Sequence, residues 1–102
     1  MTVKLSIRTE QRLAAVFPSP QDRDQARRIL EEECAEHLLR QGSAATGLER
    51  IWFAVLKLSG GSLGLLVDAV SLAKLDWRDA LVAAGFADDA YAHLAWHPAP
   101  PA

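Results

Sequence analysis

The chain has 102 residues, 50% of them hydrophobic and 24% charged, with a formal net charge of -2, which fits one globular domain around one core. With a pI of about 5.8 it lacks the overall basic footprint of a nucleic-acid-binding domain, and its single cysteine, Cys34, excludes an internal disulfide. The charges are uneven: residues 1–50 hold eight basic and eight acidic side chains, whereas residues 51–102 hold three basic ones (Lys57, Lys74, Arg78) and five acidic ones, so the second half is expected to form most of the core.

In chain order, Val3, Leu5 and Ile7 alternate weakly, and the first six residues read as extended. The opening stretch MTVKLSIRTEQR has no apolar run long enough for a signal peptide. Arg8 to Phe17 reads as a short helix with Leu13, Val16 and Phe17 on one side, ended by Pro18 and Pro20, which cannot continue it. A second helix is expected from Pro20 to about Gln41. Ser19 can cap it, Pro20 suits the first helical position and Asp22 favours its positive end. Its apolar stripe is Ala26, Ile29, Leu30, Cys34, His37 and Leu38, at spacings of three and four. The other face offers the opposite-charge pairs Arg27–Glu31, Arg28–Glu32 and Glu36–Arg40.

After a linker over 42–46, Thr46-Gly-Leu-Glu49 has the form of a capping box and opens a helix to about Ser59. Leu48, Ile51, Trp52, Val55 and Leu56 form one face. Phe53, Ala54 and Leu58 fall elsewhere on the wheel, so this helix is apolar nearly all round and is expected at the centre of the fold. Gly60 and Gly61 stop it. Ser62 caps the next helix, Leu63 to about Lys74, with Leu66, Val67, Val70 and Ala73 inward and Leu65 and Leu72 on a different face. Asp76 caps Trp77–Ala84, in which Trp77, Leu81 and Ala84 align, and Gly85 suits the left-handed residue that follows a helix. Asp88 is expected to cap a last short helix to about Trp96, followed by a proline-rich tail over 98–102. No pair of strands stands out. The expected fold is all-α: a compact irregular bundle of five or six short helices, one domain over 1–97. Its core is expected to contain Leu30, Ile51, Trp52, Val55, Leu66, Val70, Trp77 and Leu81.

Two stretches, Phe53-Ala-Val-Leu-Lys-Leu-Ser-Gly-Gly61 and Asp76-Trp-Arg-Asp-Ala-Leu-Val-Ala-Ala-Gly-Phe86, resemble a group of small bacterial proteins of uncharacterised function. The resemblance spans about residues 50–90 and implies a bacterial, cytosolic, standalone domain without implying an activity, cofactor or catalytic residue. Leu81 to Leu94, a helix, a Gly-Phe turn and a further helix, also resembles part of ubiquitin-associated-type three-helix modules, but lacks the third helix.

Several constellations invite a chemical reading. Cys34-x-x-His37 with His93-x-x-x-His97 holds four borderline-soft ligands of the kind tetrahedral zinc takes, but nothing brings the two pairs together and His97 precedes Pro98. Cys34 with His37 could pair a nucleophile and a base, yet no third orienting group or oxyanion motif accompanies them. Asp76/Asp79 and Asp88/Asp89 are explained by capping. No nucleophile elbow, phosphate loop or dinucleotide fingerprint is present, and Ser59-Gly-Gly-Ser62 lacks a phosphate loop's lysine and preceding strand. The expectation is no catalytic residue, no cofactor and no metal. The last two long helices, joined by a tight turn, could form a helix-turn-helix, but the second offers one arginine to read bases or phosphates, and no stretch is a membrane span.

A protein-protein interaction domain, cytoplasmic and self-associating as a homodimer or docking on another protein, fits the apolar surplus best. The expected contact surface is Phe53 and Leu58 of one helix with Leu65 and Leu72 of the next.

Overall fold

In a computed structural model, residues 4–35, 45–89 and 91–98 are described. They form five α-helices: α1 (Ile7–Val16), α2 (Pro20–Arg28), α3 (Ala45–Ser59), α4 (Leu63–Leu75) and α5 (Trp77–Ala84). A π-helical turn, Ile29–Cys34, prolongs α2, and a 3-10 turn, Ala92–Ala95, closes the described chain. No strand occurs among the described residues. The fold is all-α, as the periodicity predicts. His37, Leu38, the pair Glu36–Arg40 and most of the 42–46 linker lie outside the described residues.

Local chemistry explains most helix boundaries. Ser6 caps α1: its Oγ accepts from the Thr9 amide at 3.2 Å. At the α1–α2 corner Arg23 ties down the carbonyls of Phe17 (3.1 Å) and Pro18 (2.9 Å). Ser62 Oγ accepts from the Leu65 amide at 3.3 Å and starts α4, and Asp76 Oδ1 accepts from the Arg78 amide at 3.0 Å and starts α5. Gly85, at φ 82°, ends α5 in the left-handed conformation, where a side chain would be strained. Gly61 (φ 89°) turns the chain out of α3 so close to α1 that a Cβ there would meet the Val16 carbonyl oxygen at 3.1 Å. Because Asp76 alone connects α4 to α5, Asp76→Ala should cost about 0.5–2 kcal/mol. Urea titration would measure this, and an unchanged midpoint would remove the cap from the account.

Three expectations at helix ends are corrected. α3 is already helical at Ala45, so Thr46 does not precede it as the cap, and the Glu49 carboxylate serves other partners. Asp89, not Asp88, turns the chain before the last element, with Oδ1 accepting from the Tyr91 amide at 2.8 Å, and that element is a single 3-10 turn. Arg27 pairs with Glu10 of α1 (2.8 and 3.0 Å) and with Asp24 (2.8 Å) rather than with Glu31. The π turn explains this last change: an i to i+5 pattern takes more residues per turn and breaks the four-residue alignment beyond Arg28.

α3 is the centre, packing against α1, α4, α5 and the 3-10 turn. One continuous core includes Leu30, Ile51, Trp52, Phe53, Val55, Leu66, Val70 and Leu81. Trp77 packs against it while half-buried. Trp52 joins α3 to the π turn, its indole N–H donating to the Leu30 carbonyl at 3.1 Å inside the core. α4 turns Leu66, Ala69, Val70 and Ala73 inward. Val67, expected inward, is exposed, since it lies about 100° around the helix from Leu66.

Candidate functional site

Of the four residues expected to form a contact surface, the structure leaves one largely open. Leu65 is 52% exposed, whereas Phe53 is fully buried and Leu58 and Leu72 are half-buried against the core. Phe53 is corrected from surface to core because the C-terminal segment folds back over that side of α3. The rings of His93 and Trp96 meet it edge-on, with centroids at 5.0 and 6.1 Å. The Arg12 guanidinium lies over it at 5.0 Å. Phe86 adds a second aromatic wall, 6.4 Å from His93 and 6.3 Å from Trp96.

At the edge of this aromatic group lies a polar cluster of Ser6, Arg8, Thr9, Glu49 and His93. Glu49, about one turn into α3, is its hub. Ser6 Oγ donates to Oε2 at 2.7 Å, His93 Nε2 stands 3.2 Å from Oε1, and an Arg8 guanidinium nitrogen is 3.1 Å from Oε1. Thr9 Oγ1 is 2.7 Å from Ser6 Oγ. Facing a carboxylate, Nε2 is the donor of this contact; Nδ1 is buried without a partner among the described residues. Burial on its own pushes the Glu49 carboxyl up, but the hydrogen bonds from Ser6 and His93 and the nearby charge of Arg8 outweigh it and hold the group below its ordinary value.

The order of these groups limits their chemistry. A serine nucleophile needs its hydroxyl on the imidazole, with the acid behind it. Here the acid stands in the middle, and Ser6 and His93 both bond to it, so no path leads from the Ser6 hydroxyl proton to His93 Nε2 except through Glu49. The arrangement joins three parts of the chain: the start of α1, the body of α3 and the C-terminal turn.

The other candidates do not converge. Cys34 is completely buried, and desolvation pushes its thiol up to about 12 despite the opposing charge of Lys74, which keeps it protonated and weakly nucleophilic. His93 is committed to Glu49, and His97 is exposed. Among the described residues no group of three His, Cys, Asp or Glu is placed to hold a metal ion. The α4–α5 pair has a one-residue connection, but α5 presents outward Arg78, stacked 5.4 Å above Trp77, beside the acidic Asp79. A groove of about 400 Å³ runs between α1, α3 and the C-terminal segment, lined by Val16, Leu56, Trp96 and Pro98 among others. The cation at its rim, Lys57, donates to the Ala84 carbonyl at 2.8 Å and lies over the Phe86 ring. No helix among the described residues is long and apolar enough to cross a membrane.

The Glu49–His93 pair escapes sequence reading because its members are 44 positions apart. Glu49 had a plausible local role in capping, and His93 a plausible local partner in His97. Comparison with protein-family models, curated proteins and solved structures finds no match.

Proposed function

We propose that this chain is a protein-protein interaction domain that self-associates through α4. The observation that carries this reading is a stripe along α4. Leu65, Asp68, Leu72 and Leu75 are spaced three, four and three apart, which places them on one side of a helix. That side is offset from the buried Leu66/Ala69/Val70/Ala73 face. Leu65 is 52% and Leu75 86% exposed, and Leu72 is half-buried between them. The contact surface proposed is therefore Leu65, Leu72 and Leu75, with Phe53 and Leu58 serving the core.

An antiparallel pairing of two α4 helices about a two-fold axis at the level of residue 70 would set Leu65 of one copy against Leu75 of the other, an isologous contact. Fully burying a leucine is worth about 1.5–3 kcal/mol, against an association cost of about 4–15 kcal/mol. The three leucines of each copy thus support a dimer of modest affinity. Asp68 interrupts the stripe, and a polar residue in such a seam fixes register at a cost in stability. The same reading places the protein in a bacterial cytoplasm, where a reduced, unpaired Cys34 is at home. Leu65→Glu tests the surface: in sedimentation velocity it should run as a monomer at concentrations where the unaltered protein dimerises, with its circular dichroism unchanged. Identical sedimentation of the two proteins would refute the assignment to α4.

A further inference from the structure

The last described segment, residues 91–98, is attached to the bundle in an unusual way. It has one 3-10 turn and no long helix of its own. Its anchors are the His93–Glu49 bond, two long bonds from Arg12 to the carbonyls of Trp96 (3.3 Å) and Leu94 (3.4 Å), and the ring contacts of His93 and Trp96 with Phe53 and Phe86. We propose that Glu49 is an acid-sensitive clasp, and that proton uptake at its carboxylate releases residues 91–98 as a strap from the Phe53/Phe86 face while the helices stay folded.

The argument is one of charge balance. The ionisable groups acting on Glu49 are Arg8 of α1 and His93 of the strap. Arg12 of α1 reaches the strap through its carbonyls, and the neighbouring Arg50 is spent on the carbonyls of Phe86 and Asp89. A protonated Glu49 loses its ion pair with Arg8 and offers His93 no counter-charge. Kept on the aromatic face, His93 then has a buried Nδ1 without a partner among the described residues and an Nε2 that faces an uncharged group. Released into water, both ring nitrogens are solvated, so opening is coupled to proton uptake at Glu49. The sign follows from the carboxylate: a group held below 4.5 in the folded protein contributes its full stabilisation above that value and loses it as pH falls through the lowered one. The contacts of α3 with α4 and α5 involve no part of the clasp, and Trp52, buried in the core and bonded to the Leu30 carbonyl, reports on the helical core.

Nitrogen-15 NMR of the full chain, following the indole signals of Trp52 and Trp96 from pH 7 to pH 3, tests the proposal. Trp96 should leave its native position at a higher pH than Trp52. In Glu49→Gln, which imitates the protonated carboxyl, Trp96 should already be displaced at pH 7 and respond little to acid. Arg8→Gln, altering a side chain that is 58% exposed, provides a second arm should Glu49→Gln lack a native Trp52 signal. Loss of the Arg8 charge must move the Trp96 midpoint to higher pH, because that charge helps hold the Glu49 carboxyl down. Joint loss of the two indole signals in the unaltered protein, a native Trp96 signal in Glu49→Gln, or an unmoved midpoint in Arg8→Gln would each overturn it.

Discussion

Phe53→Ala is expected to destabilise the protein by about 3–5 kcal/mol, a large share of the roughly 5–15 kcal/mol that holds a domain of this size together. The ring is fully buried and is shared by two otherwise separate parts of the chain. Arg12 of α1 stacks over it, and His93 and Trp96 of the C-terminal segment meet it edge-on. Truncation would leave a cavity and also remove the surface against which the C-terminal segment lies. Urea denaturation monitored by circular dichroism measures the cost. Were Phe53 the surface residue that the helical wheel suggests, the change would stay within about 0.5 kcal/mol.

Leu66→Ala is the second large effect, about 2–5 kcal/mol. Leu66 has no exposed surface and lies on the α4 face that meets the core with Ala69, Val70 and Ala73. Three of these four inward positions are alanine or valine, so Leu66 is the largest of them and the neighbours have little side chain with which to fill the gap. A contrasting substitution one residue away sharpens the test: Leu65→Ala, on the outward stripe, should alter monomer stability by less than about 0.5 kcal/mol. Equal losses at the two positions would mean that the face of α4 is misassigned.

The elements that were legible in the sequence are those governed by neighbours within a few residues. Ser62 and Asp76 bond the amides that their caps predict, Gly85 takes the left-handed turn, and the nearly all-apolar Leu48–Ser59 segment lies at the centre of the bundle. What was not legible depends on residues far away in the chain. Phe53 looked surplus because the wheel of α3 shows no partner for it; the partner arrives from residues 93 and 96. Glu49 satisfied a local capping pattern, yet Ser6, Arg8 and His93 claim its oxygens. The π turn has no residue signature in Ile29–Cys34, and it moves Arg27 away from the four-residue pairing that an uninterrupted α-helix would have supported. In the proposed contact surface, Leu65 was visible from its spacing, whereas Leu75 came into view only once α4 was seen to continue past Lys74 with that side chain exposed.

Self-association through α4 is the central claim, and the mass of the unaltered protein in solution tests it most directly. Multi-angle light scattering across a concentration series reaching on the order of tens of micromolar, where a contact of modest affinity is populated, should show the mass rising from that of the 11.1 kDa chain toward twice that value. A mass that stays at the single-chain value throughout the series would contradict the claim.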